Sequence, residues 1–135
     1  MKKRDRKAIE SYARWAADQI GLRDWEVGFD WKRPADERDG GSVDWVEGRK
    51  SVVIRLAETF RDYDPDEQRY VIVHELVHAH FAPMQDTVEE DLQPHLSRPT
   101  YDLYSRSFRR TLEYGVDAVA HALAARLPLI DWSAK

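Results

Sequence analysis

The sequence has no cysteine. That excludes disulfides, thiolate metal ligands and a cysteine nucleophile, so a bound metal would have to use His, Asp or Glu. No apolar run approaches the roughly 20 residues of a membrane-spanning helix. The start, Met1-Lys2-Lys3-Arg4-Asp5-Arg6-Lys7, is basic, but Glu10, Arg14 and Asp18 interrupt the apolar positions that follow. That pattern is unlike the apolar core of a signal peptide. The expectation is a cytoplasmic protein with no membrane partner. There is no excess of positive charge either: 21 Lys and Arg stand against 25 Asp and Glu, a net charge of −4. A general electrostatic attraction for nucleic acid is therefore absent, and the basic start is expected to be a solvated helix end. No internal repeat, linker, low-complexity tract or obvious serine-nucleophile motif is found.

What is present fits one domain spanning residues 1–135, with 42% hydrophobic and 34% charged residues, ordinary for a soluble globular chain. Ala8 to Ile20 predicts a helix from the spacing of Ile9, Tyr12, Ala13, Ala16 and Ile20, with Gly21 as its cap. Trp25 to Trp31 alternates as a strand. Val43 to Val46 and Ser51 to Leu56 predict a hairpin around Glu47-Gly48-Arg49-Lys50. Asp64-Pro65-Asp66-Glu67 reads as a helix start with a capping box, and Pro83 as that helix's end. Ala82 to Thr100 is expected to be mostly loop. Tyr101 to Leu127 predicts a long final helix with a stripe of Phe108, Leu112, Val116, Val119, Leu123 and Leu127. The fold class is therefore α+β, with a small three-stranded sheet packed against the Asp66–Phe81 helix. Trp25, Trp31 and Trp45 are expected to pack in or on that sheet.

The chemistry lies in His74-Glu75-Leu76-Val77-His78. Two histidines four apart on a helix stand one turn above each other, so both imidazoles reach one metal ion, and the glutamate beside the first is placed to act on a metal-bound water. With 5 histidines in the chain, chance placement gives an HExxH in roughly one such chain in a hundred. A catalytic zinc site needs a third protein ligand. His80 is two residues past His78 and points away from the metal face. His95 and the run Glu89-Glu90-Asp91 lie in the proline-rich segment and remain candidates. His121 falls almost opposite the apolar stripe of the final helix. Glu113 falls at the stripe's flank, with Asp117 one turn later.

His74-Glu75-Leu76-Val77-His78 followed by Glu113-Tyr114-Gly115-Val116-Asp117 resembles the gluzincins, the zinc peptidases of the thermolysin type. The resemblance implies His74, His78 and Glu113 as zinc ligands, Glu75 as general base and Asp117 as the carboxylate that orients His74. It covers the motif helix and the final helix, about half the chain. Leu112 stands where thermolysin-like enzymes have an asparagine, and Phe81 and Met84 stand where metzincins have Gly and a third His. The small size resembles the minimal zincin-like proteins of bacteria and their phages, including the ImmA/IrrE and SprT-like groups.

The function expected on this reading is zinc-dependent hydrolysis of peptide bonds, with Zn2+ activating the attacking water and Glu75 as general base. Tyr101, Tyr104, Tyr114 and His121 are conceivable oxyanion donors, with Tyr114 and His121 put forward. Ser51 to Leu56 is expected to be a sheet edge to which a peptide or protein substrate adds as a strand. The alternative is a non-proteolytic zinc-binding interaction module, in its regulatory form with a nucleic-acid contact at the basic start. Glu75 separates the two, because a structural site needs no base between its histidines.

Overall fold

The computed structural model describes residues 1–133. Helix α1 (Lys3–Gln19) leads to β1 (Glu26–Phe29), β2 (Gly41–Trp45) and β3 (Ser51–Leu56), then to α2 (Pro65–Asp86) and α3 (Arg98–Ala124). Short helical turns at Glu58–Asp62, Thr87–Asp91 and Gln93–His95 join the later elements. The result is a mixed α+β architecture of three helices and a three-stranded sheet. Among the described residues, no helix is long and apolar enough to cross a membrane.

Strand order in the sheet is β1-β3-β2. β1 pairs parallel with β3, Val27 opposite Val52, and β2 pairs antiparallel with β3, Val43 opposite Ile54. The hairpin is as expected, but β3 is the central strand and not an edge. The cause is the parallel crossover: α1 and β1 precede the hairpin and fill the second side of β3. Val52, Ile54 and Leu56 accordingly turn one buried face to the core. β2 is left as an edge. It begins at Gly41, two residues before the expected start.

α1 begins earlier than expected, at Lys3, because its charged first turn is compatible with an exposed helix end. Its buried face of Ile9, Tyr12, Ala13 and Ala16 is the expected one. Gly21 follows with φ +87°, a left-handed conformation suited to closing a helix, and the Leu22 amide donates back to the Ala17 carbonyl at 2.8 Å.

α2 is the centre of the molecule. One set of its residues, Ile72, Leu76 and Ala79, packs with α1 and the sheet. Val73 and Val77 pack on the other side with Leu112, Val116, Ala120 and Ala124 of α3. A helix apolar on opposite sides is buried between two layers. Its first turn has Pro65 at the start, but Asp64 makes no side-chain cap bond. Buried Gln68 does the anchoring, its amide donating to the carbonyls of Phe60, Arg61 and Tyr63.

Pro83 does not end α2, and the segment after it is not mostly loop. Pro83 lies within the helix, which runs to Asp86 and continues through a π turn at Thr87–Asp91. Buried Ala82 and the Trp45 indole, which donates to Asp86 Oδ1 at 2.9 Å, hold the last turn against the sheet. Tertiary contact outweighs the one backbone donor that proline lacks. The buried face of α3 is also shifted: Val119 is exposed, and Ala120 and Ala124 are buried in its place, because α3 crosses α2 closely enough to need small side chains there. Trp25, Trp31 and Trp45 are half-buried and packed against the main core.

Candidate metal centre

α2 and α3 run side by side, so residues one turn apart on one face each other on the second. His74 and His78 lie on the α2 face toward α3, with their Nε2 atoms 3.3 Å apart. Glu113 of α3 reaches between them: Oε1 stands 3.1 Å from His78 Nε2 and Oε2 3.5 Å from His74 Nε2. Two ligand atoms about 2.0–2.1 Å from a tetrahedral zinc ion stand about 3.3 Å apart. The His74, His78 and Glu113 donors, all within 4.8 Å of one another, therefore fit a divalent ion with no rearrangement of the helices. Two imidazoles and one carboxylate also match the donor preference of zinc. Neither His80, His95 nor the Glu89-Glu90-Asp91 run joins this set. His80 donates from Nε2 to the Ile20 carbonyl, 2.8 Å away across α2. His95, Glu90 and Asp91 are exposed, and Glu89 pairs with Arg109.

Behind His74 lies a second arrangement. Asp117 Oδ1 is 3.1 Å from His74 Nδ1, which in the neutral imidazole favours the N–H at Nδ1 and would leave the Nε2 lone pair for a metal. Tyr70 was not found from the sequence. Its hydroxyl donates to Asp117 Oδ1 at 2.8 Å and lies 3.1 Å from His74 Nδ1. The signal was available: Tyr70 precedes His74 by four residues and so shares its helix face. Burial and the Asp117 carboxylate raise the Tyr70 hydroxyl well above its ordinary range, which keeps it a donor. His121 stacks on Tyr70 with ring centroids 4.2 Å apart.

The charges in this cluster balance one another. Hydrogen bonds from His74 and His78 hold Glu113 far below the usual carboxylate range. Burial alone would lower His74, but the Glu113 hydrogen bond and the charges of Glu75, Glu113 and Asp117 raise it. Glu75 is different. It is 5% exposed, accepts no hydrogen bond among the described residues, and burial pushes its carboxyl up to about 7 despite the nearby histidines. A buried acid poised near neutral pH suits proton transfer.

His74, His78, Glu113 and Glu75 share one open cavity of about 770 Å³. Its floor is α2, one wall is the β2 edge from Gly41 to Trp45, and the other is α3 at Arg109, Leu112 and Glu113. Tyr101, Tyr104, Tyr114 and His121 do not line it. Tyr114 is 73% exposed, and the Tyr101 hydroxyl donates to the Glu89 carbonyl.

Gly41 sets how closely β2 approaches. A Cβ there would lie 2.9 Å from both Glu75 Oε1 and Val71 Cγ1. Gly41→Ala is expected to destabilise the fold by about 1–3 kcal/mol in urea titration and to displace Glu75 while leaving zinc stoichiometry intact. Tyr70→Phe removes one hydroxyl from the His74 support and should weaken zinc binding about tenfold. Asp117→Ala should weaken it toward the 100-fold end of the range for such partners. Competition against a chromophoric chelator measures both; full affinity in both variants would show that packing alone orients His74.

No protein-family model, curated protein or solved structure matches the chain.

Proposed function

We propose that the chain is a zinc-dependent metallopeptidase with a minimal zincin-like fold of gluzincin type. The observation that carries this reading is the placement of Glu75: a buried carboxylate without a hydrogen-bond partner, in the same cavity as three donors spaced for zinc. Burying such a group is costly, and a purely structural metal site has no use for it.

His74, His78 and Glu113 would hold the ion, which supplies Lewis acidity toward a carbonyl oxygen and lowers the pKa of water. Glu75 accepts the proton of the attacking water and delivers it to the leaving amine. Asp117 and Tyr70 keep His74 in the tautomer that binds metal. The β2 edge, with one row of backbone groups unpaired by β3, offers main-chain hydrogen bonds to an extended segment, so peptide shape is selected before sequence. No covalent intermediate is required, in keeping with a chain that has no cysteine.

The test is incubation of the zinc-loaded protein with an unfolded protein substrate, with fragments identified by mass spectrometry. Cleavage that stops on chelation and returns with added zinc supports the reading. An uncut substrate, or cleavage indifferent to chelation, refutes it.

A further inference from the structure

The cavity is unusually one-sided in charge. Six carboxylates line it, Asp39, Asp44, Glu75, Asp86, Glu89 and Glu113, against the single cation Arg109. Arg109 is already paired with Glu89, and Asp44 is paired with Arg55 of β3. A divalent ion held by the triad would leave an excess of negative charge along the remaining length. Two of these acids keep capacity for a new partner. Asp39, beside Glu75, makes no side-chain hydrogen bond or ion pair among the described residues. Asp86 gives Oδ1 to the Trp45 indole, and its second oxygen accepts nothing among the described residues. Asp39 stands by Glu75, where β2 begins at Gly41, and Asp86 by Trp45, where β2 ends. Glu75 and Asp86 are eleven positions apart on α2, about 16 Å at 1.5 Å per residue, or roughly five residues of extended chain. Asp86 also sits in the last turn of α2, where the partial negative charge of the helix end favours cations.

Buried, unpartnered Glu75 marks this groove as a place where a ligand docks, and the free β2 edge beside it fits an extended backbone. We infer that the cleft selects an extended, basic peptide segment, with Lys or Arg side chains directed to Asp39 at one end and to the Asp86 end at the other. This rests on the proposed peptidase reading and names its substrate class. Opposite charge concentrates such a segment in the cleft, and like charge repels acidic peptides and phosphate backbones alike.

The test uses three unstructured twelve-residue peptides of one Ala/Leu/Ser background, carrying at two positions five residues apart Arg, Gln or Glu. Binding to the zinc-loaded protein is measured by fluorescence anisotropy at low and high salt, and cleavage by mass spectrometry in parallel. The Arg peptide is expected to bind at least about tenfold tighter than the Gln peptide, with the Glu peptide weakest. The preference should shrink to under about threefold in D39N/D86N and in high salt, and persist in Asp18→Asn on α1. Equal binding of the three peptides, a preference untouched by D39N/D86N, or no binding of the Arg peptide overturns the inference. Charge-selective binding without cleavage leaves the inference standing and sinks the peptidase reading instead, so the two failures are told apart.

Discussion

Glu113→Ala is expected to lower the affinity of this chain for zinc by at least about 100-fold, and His74→Ala or His78→Ala to remove stoichiometric zinc altogether. Losing a partner that merely supports a ligand costs about 10–100-fold, so losing a ligand itself should exceed that. Glu113 is half-exposed, so its truncation opens no core cavity, and the loss should appear without unfolding. Zinc content by elemental analysis and competition with a chelator give the numbers, and circular dichroism confirms the fold. Full affinity in Glu113→Ala would place the third ligand elsewhere. Two further readouts follow from the same chemistry. Zinc at 100 times its Kd stabilises the fold by about 2.7 kcal/mol, so chelation lowers Tm. The histidines must also be deprotonated to bind. His74 lies above the ordinary histidine range, so affinity starts to fall before pH 6.5 is reached from above, by about tenfold or more per unit once below.

Glu75→Gln is expected to abolish peptide hydrolysis while the protein keeps its zinc and its fold. Glutamine has the same shape and cannot take a proton, and the loss of a general base amounts to about 10²–10⁴ in rate. The stability change should have the opposite sign. The Glu75 carboxyl is raised from 4.5 to about 7, so the folded state prefers it protonated. Its destabilising contribution is absent below pH 4.5, grows between pH 4.5 and about 7, and is complete above that, at about 3 kcal/mol at most. In chelated protein at pH 8, Glu75→Gln should therefore be more stable than the parent, and the difference should vanish at pH 4. Urea titration at the two pH values measures this. A variant that still cleaves at the parental rate would remove Glu75 from the mechanism. One that is less stable at pH 8 would show that the buried carboxylate is compensated by partners.

Such a trade of stability for a poised charge is what the proposed general base would show. The neighbouring positions show the contrast. Leu76 and Val77 sit between the histidines and are fully buried; they hold α2 against the sheet and α3, so the rotation of the helix that aims His74, Glu75 and His78 is set by core packing.

The elements and their spacing were legible because they depend on local rules. The HExxH pentapeptide on a helix needs only the period of 3.6; the same period puts Glu113 at the flank of a later helix's stripe with Asp117 one turn on, and the resemblance to gluzincins is what implies their roles. The structure brings Glu113 to 3.1 Å from His78 and Asp117 to 3.1 Å from His74. Other features escaped the sequence. In the sequence Pro83 reads as a helix end because its effect on one hydrogen bond is local, while the Trp45–Asp86 contact that carries the helix past it spans 41 positions. Val119 belongs to the stripe that periodicity predicts, yet Ala120 is the buried residue, since the angle at which two helices cross is not a property of either helix alone. Tyr70 was overlooked because its importance depends on a partner, Asp117, that lies 47 residues away.

By itself, then, the sequence determined which residues could bind a metal, that they would lie on helices, and that an α+β chain would carry them. It did so because helical periodicity and ligand chemistry are short-range properties. Only the tertiary structure decided which strand borders the cleft. β3 became central and β2 the edge because β1 pairs with β3 from its other side, a choice made between segments distant in sequence. The same packing buries Glu75 beneath Gly41 and gathers Asp39, Asp44, Asp86 and Glu89 around one groove. Burial and the summed field of several carboxylates come from proximity in space, and that proximity appears only when the strand, the helices and the turns have packed.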